Sequence, residues 1–170
     1  MLIAIISDTH GNSATFEKFA IWAKENKIQE IIHCGDIGFA YFAKEMSDLL
    51  PEAHFNLVVG NMDNDEESIE KMLAPGQSLN TSFYGKTGEI EIDHEKIAFT
   101  HKPDDARKLA LTGRFNLVFF GHTHQPFEEK IGSCRLINPG NLAGDIYQST
   151  FAVYNTTSGH LELKITASLI

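Results

Sequence analysis

The sequence predicts a mixed α/β sandwich of two packed sheets with helices outside. Three observations carry this. The first half alternates strand-like apolar runs with segments of helical spacing, in the order βαβαβα. The second half is rich in strands. Asp, Asn and His residues cluster just past the ends of five of those strands.

The elements follow in order. Residues 2–7, LIAIIS, form a continuous apolar run, as expected of a strand covered on both faces. Phe16, Phe19, Ala20 and Ala23 then recur at helical spacing, with Asn12 or Ser13 as N-cap. EIIHC (30–34) is the second strand. Phe42, Ala43, Met46, Leu49 and Leu50 make a second helical stripe, ended by Pro51. FNLVV (55–59) is the third strand. Asn64 and Glu67 predict a capping box for a short helix through Leu73, broken by Pro75-Gly76. GEIEID (88–93) and KIAFT (96–100) predict a hairpin turning at Asp93-His94-Glu95. Pro103 opens a short helix carrying Ala106, Leu109 and Ala110, and Gly113 ends it. NLVFF (116–120) is a buried strand. Runs at 127–131, 134–138 and 150–154, with 160–166 as a partner, complete the strand-rich half.

With 170 residues, 42% hydrophobic and 22% charged, the chain suits one domain, taken as 1–170. No apolar run approaches the roughly 18 residues that span a membrane. MLIAIISDTHGN lacks a basic n-region and a small-residue cleavage site, so it reads as a first strand rather than a signal peptide. The formal charge of −9 argues against a general nucleic-acid-binding surface, which needs Lys and Arg to neutralise phosphates. The two cysteines, Cys34 and Cys134, read as free buried thiols acting as small hydrophobes. The expected location is the cytoplasm. Homo-oligomerisation is left open.

The polar residues past the strands carry the chemistry. LIAIIS runs into Asp8-Thr9-His10, EIIHC into Gly35-Asp36, and NLVV into Gly60-Asn61. KIAFT runs into His101, and NLVFF into Gly121-His122-Thr123-His124. In open α/β sheets the ligand crevice lies outside the carboxyl ends of strands, so five such ends converge on one site. Asp8, His10, Asp36, Asn61, His101, His122 and His124 outnumber the three or four protein ligands of a single catalytic zinc. Imidazole, carboxylate and amide oxygen without thiolate suit a borderline first-row metal. The economical arrangement is two cations about 3.5–4 Å apart sharing one carboxylate. Manganese is the first expectation, with iron, nickel, cobalt or zinc as alternatives. Two divalent cations against Asp8 and Asp36 make the site locally positive, which favours a phosphate ester as substrate.

Taken in order, Asp8-x-His10, Gly35-Asp36, Gly60-Asn61, His101 and Gly121-His122-x-His124 resemble the motifs of calcineurin-like metallophosphoesterases. SDTHGN near the start, the short length, and NPG at 138–140 resemble the small phosphodiesterase branch. The resemblance spans residues 7 to 141. It implies a four-layer α/β/β/α sandwich of two mixed sheets with flanking helices. It also implies a dimetal site in which Asp8, His10 and His124 hold one cation and Asn61, His101 and His122 the other, with Asp36 bridging. A hydroxide generated there would attack phosphorus in line, helped by Asn61 and His101 as catalytic groups.

Three departures from the wider family carry information. Met62 and Phe39 stand where many phosphomonoesterases of this family have the His and Asp thought to protonate the leaving group. Their joint absence favours phosphodiesters or activated esters. Asp63 is a nearby carboxylate that would need a raised pKa to replace them. Lys102 stands where related chains usually have Gly, and reads either as a substrate contact or as a solvated side chain before Pro103.

Other residues read as structural. His33, inside a strand beside Cys34, is expected to be packed. His54, His94 and His160 fall at strand starts or turns and are expected to be exposed. The acidic run 63–67 reads as the charged start of a helix. The NPG turn is expected to wall the site. The metallo-β-lactamase pattern would continue His-x-His with Asp-His, whereas Gln125 and Pro126 follow here. An amidohydrolase TIM barrel needs about 250 residues. Two other functions remain: a phosphomonoesterase on the same site, or a non-catalytic interaction module of the same fold.

Overall fold

The computed structural model describes residues 1–63, 71 and 80–169. The first sheet has six strands in the order β11-β10-β1-β2-β3-β4. These are β1 (Leu2–Ile6), β2 (Glu30–His33), β3 (His54–Leu57), β4 (Thr81–Phe83), β10 (Thr150–Asn155) and β11 (His160–Ile165). The four central-to-edge strands β1 to β4 run parallel, while β10 and β11 add on antiparallel beyond β1. The second sheet runs β5-β6-β7-β9-β8, built from β5 (Thr87–Ile92), β6 (Glu95–Thr100), β7 (Leu117–Phe119), β8 (Phe127–Ile131) and β9 (Cys134–Asn138). There β6, β7 and β9 are parallel neighbours.

Three apolar clusters fill the spaces between four layers. Ala4, Ile6, Ile31 and Phe55 of the first sheet meet Phe16 and Phe19 of α1 (Ser13–Glu25) and Phe42 and Met46 of α2 (Ala40–Leu49). Ile3, Ile5 and Ile32, on the opposite face of the same strands, meet Ile97, Phe99, Leu117 and Phe119 of the second sheet. Ala98, Val118 and Leu136 then meet Ala106 and Ala110 of α3 (Pro103–Leu111). Alternate residues of β1, β6 and β7 serve opposite layers, and this explains their unbroken apolar sequence. The expected α/β/β/α sandwich of two mixed sheets is the observed fold.

Local chemistry sets the element ends. Asn12 caps α1, its side-chain oxygen accepting the Thr15 N–H at 3.3 Å. The β5–β6 hairpin closes on Asp93 and His94, both at positive φ (50° and 69°), with Ile92 opposite Glu95. That is the two-residue turn whose twist suits paired strands. Strand β4 has no counterpart in the sequence reading. Its three residues are too short for a periodicity, and pairing with β3 alone defines it. The helix expected from Asn64 to Leu73 lies outside the described residues.

Candidate metal centre

Strands β1, β2 and β3 of one sheet and β6 and β7 of the other deliver their carboxyl ends to one rim. The parallel ladder between β1 and β2 continues past the strands: Asp8 N–H donates to Gly35 O, His10 N–H to Asp36 O, and Gly11 N–H to Ile37 O, at 2.9–3.0 Å. Asp8, His10 and Asp36 therefore sit on a hydrogen-bonded extension of the sheet rather than on free loops. Across the sandwich, Gly121 N–H donates to His101 O at 3.1 Å and ties the β6 and β7 ends together.

The backbone there is strained in a regular way. Asp8 (φ 53°), His10 (46°), Asp36 (53°), His122 (70°) and His124 (60°) are all left-handed. For a residue with a Cβ this costs about 1 kcal/mol or more each, and such strain gathers where side-chain aim matters. Two glycines allow the close packing this demands. A Cβ at Gly60 would overlap the Asp36 carboxylate, and one at Gly121 would overlap Ser7 and the Asp8 carboxylate.

All seven candidate residues come together. On one side, His124 Nε2 lies 3.3 Å from Asp8 Oδ1 and 3.3 Å from His10 Nε2. On the other, His101 Nε2 lies 3.0 Å from Asn61 Oδ1, 3.3 Å from Asp36 Oδ2 and 3.2 Å from His122 Nδ1. Ligand atoms of Asp8, Asp36 and His101 lie within 4.8 Å of one another and join the two sides. The His101 ring is fixed from behind, since its Nδ1–H donates to Cys34 O at 2.9 Å. Its Nε2 is thereby aimed at the oxygen and nitrogen atoms of the neighbouring candidate ligands. Around a cation bonded at about 2.0–2.1 Å in tetrahedral geometry, neighbouring ligand atoms stand about 3.3 Å apart. The observed spacing of 3.0–3.3 Å fits a cation on each side.

The same crowding shows in the ionisation of these side chains. Burial raises the Asp8 carboxyl above the usual range, against the pull of His101 and His124. Burial also works against ionised Asp36, but hydrogen bonds from His101 and from Met62 N–H (2.7 Å) prevail and hold it low. Burial alone would lower His101. Its contact with Asp36 and the charge of Asp8 raise it instead.

The supports behind the ligands escaped the sequence reading. His33 is buried as expected, yet it is also a hydrogen-bonded link. Gly35 N–H donates to its Nδ1 (3.2 Å), so Nε2 carries the proton and donates to Thr9 Oγ1 (2.9 Å). Thr9 in turn donates to Ile37 O (3.0 Å). Burial and the charge of His101 push the His33 pKa down to about 3, which keeps that tautomer neutral. Asp63 is likewise structural: its two oxygens accept Gly38 N–H and Gly60 N–H, both at 2.8 Å. It braces the loops that carry Asp36 and Asn61, and its acceptors are spent on amides.

The NPG turn does not wall the site. Asn138, Pro139 and Gly140 are buried, and Asn138 Nδ2 donates to Gly121 O (2.8 Å) and Thr123 Oγ1 (3.0 Å). The turn holds the His122–His124 loop from behind because β9 runs parallel beside β7 and ends level with it. Asn141 Nδ2 adds a bond to His124 O at 3.3 Å. His124 Nδ1 is buried without an aligned hydrogen bond and faces Asp145 Oδ1 at 3.3 Å. Of the other histidines, His94 and His160 are exposed, while His54 is half-buried against Ser82 Oγ at 3.0 Å. Cys34 and Cys134 are free and buried. Phe39 and Met62 are half exposed at the rim and offer no proton.

Two mixed sheets with flanking helices, bearing candidate metal ligands at one rim, are the architecture of a phosphoesterase that works with metals. The chain belongs to the calcineurin-like phosphoesterase superfamily, whose domain model matches residues 1–159. It is 28% identical over 146 residues to a phosphodiesterase of Methanocaldococcus jannaschii, spanning 85% of this chain and 86% of that protein. A solved archaeal phosphodiesterase superposes with a TM-score of 0.87 at 24% identity, covering 97% of this chain and 99% of that one. Vacuolar protein sorting 29 of Cryptosporidium parvum shares the fold at a TM-score of 0.66 and 15% identity, with 96% and 95% covered.

Proposed function

We propose that this chain is a metal-dependent phosphodiesterase of the cytoplasm, working with two divalent cations, manganese foremost. Asp8, His10 and His124 would hold one cation; Asn61, His101 and His122 would hold the other, with Asp36 shared. When bound, the cations supply charge for the ester's oxygens and acidify a water into the nucleophile near neutral pH. The protein's own groups do the rest. Cys34 O fixes the His101 ring with Nε2 inward. Asn61, its amide oxygen turned to His101, keeps an Nδ2–H donor for a phosphoryl oxygen. Asp8 and Asp36 cancel two of the four cation charges, and the net positive remainder attracts an anionic ester to a protein of charge −9.

The observation that carries this reading is the approach of ligand-type atoms to 3.0–3.3 Å on both sides of the rim. The preference for diesters rests on Phe39 and Met62, apolar side chains at the two positions where the family's phosphomonoesterases carry a leaving-group acid, and on the relative named a phosphodiesterase. The free cysteines fit a reducing compartment.

Hydrolysis of bis(p-nitrophenyl) phosphate and of p-nitrophenyl phosphate, with Mn(II) and after chelation, tests it. Diester turnover should need the metal and exceed monoester turnover. Faster monoester turnover would convert the reading to a phosphomonoesterase. No turnover with any first-row divalent metal would leave the non-catalytic interaction module.

A further inference from the structure

Next to Asn61 and His101 opens a cleft of about 390 Å³, lined also by Gly60, Lys86, Lys102 and Asp105. That volume lies in the range of small-ligand pockets. Because Asn61 and His101 belong to both the cleft and the candidate centre, an ester seated at the centre has this cleft as its neighbour. No Phe, Tyr or Trp lines it among the described residues. Its character is cationic. Lys86 precedes β5 and Lys102 precedes α3, and the two loops are tied at the base, where Thr100 Oγ1 donates to Lys86 O at 2.9 Å. Neither ammonium has an ion-pair partner among the described residues. The one carboxylate at the rim, Asp105, is engaged by Lys108 Nζ at 2.9 Å. The side chains that follow Asp36 and Asn61, Phe39 and Met62, are half exposed and apolar. The centre therefore has unlike surroundings, with two unspent positive charges concentrated in one pocket.

We infer that this cleft receives a second anionic group of the substrate: the ester is a phosphodiester with a further phosphate or carboxylate on one arm, held by Lys86 and Lys102. Lysine suits this role as a point charge with three donors that tolerates varied anion geometry. The inference rests on the phosphodiesterase reading above and narrows it to a substrate class. On this inference Lys102 is a substrate contact rather than a solvated side chain before Pro103.

Two chromogenic diesters test it: thymidine 3′-(p-nitrophenyl phosphate), with and without a 5′-phosphate. The wild type should prefer the 5′-phosphorylated probe. In the double variant Lys86→Ala/Lys102→Ala, the ratio of kcat/KM between the two probes should fall about tenfold, through KM rather than kcat. Lys86→Arg/Lys102→Arg should keep the preference, and 0.5 M salt should shrink it in the wild type. Calorimetric binding of thymidine 3′,5′-bisphosphate should weaken in the Ala variant by the same factor relative to thymidine 3′-phosphate. Equal kcat/KM for the two probes in the wild type, or an unchanged ratio in the Ala variant, would overturn this inference and leave the diesterase standing. No turnover of either probe would overturn the diesterase reading and this inference with it.

Discussion

Asp8 and His124 lie within the sandwich at 0% and 8% exposure, whereas Asn61 and His122, on the other side of the same centre, are exposed to solvent. The loops repeat this contrast. Asp8-Thr9-His10 and His122-Thr123-His124 share a pattern and a backbone, each with both outer residues left-handed. Yet Thr9 is buried and bonded to His33 and Ile37, while Thr123 is exposed and held by Asn138. The same local geometry is thus braced from inside the first sheet in one case and from the neighbouring strand β9 in the other. The difference teaches a division of labour. Asp8 and His124, buried and braced, keep their ligand-type atoms fixed, while Asn61 and His122 stand open to solvent even though their neighbour His101 is buried. A cation on the buried side should exchange slowly, and one on the open side quickly.

The comparison can be broken most sharply at Asp36, which reaches toward both sides. Asp36→Asn should lower turnover of an aryl diester by on the order of 10²–10³-fold, with the metal count falling on the open side first. Elemental analysis of the dialysed variant checks this, and an unchanged count with full activity would refute the shared role.

The next effect is on the inner brace. His33 has a folded pKa of about 3 against 6.5 for the free group, so its neutral form is favoured by folding. Its contribution is present above pH 6.5 and is lost as pH falls toward 3, at up to about 1.4 kcal/mol per pH unit. Urea unfolding at pH 7, 5 and 4 should show this acid limb in the wild type and a shallower one in His33→Gln. An identical limb in both proteins would remove His33 from the account.

The outer brace should matter somewhat less. Asn138→Ala strands Gly140 N–H and leaves Gly121 O with Thr123 N–H as its donor, at a cost of about 1–3 kcal/mol, and should lower Tm by roughly 5 °C. A calorimetric scan decides it. The smallest effect sharpens the contrast rather than breaking it. Asp145→Asn should weaken only the tighter of two metal-binding steps, by about tenfold, because a carboxylate facing a ligating imidazole raises its basicity. Weakening of both steps alike would show that the two sides are not independent.

Much of this was legible in the sequence because it depends on short range. Continuous apolar runs identify strands such as β1 and β7 that serve two layers, and helical spacing identifies α1, α2 and α3. Asp93-His94 announces its hairpin. The seven ligand types could be found because each stands at the end of a recognisable strand. The braces could not. Asn138 lies 17 residues from its partner Gly121, Thr9 lies 24 from His33, and Asp63 lies 25 from Gly38. A hydrogen bond across such a gap leaves no periodicity, and an Asn, Thr or Asp in a loop looks the same whether it is solvated or buried.

By itself, then, the amino-acid order determined the layers through hydrophobic period, and it marked the family and seven candidate side chains through the motifs at the strand ends. Only the tertiary structure decided which candidate ligands are buried and which open, which turn supports rather than encloses, and that Lys86 and Lys102 share a pocket. Those depend on which strand ends lie side by side, and sheet order is fixed by long-range packing rather than by any neighbouring residue.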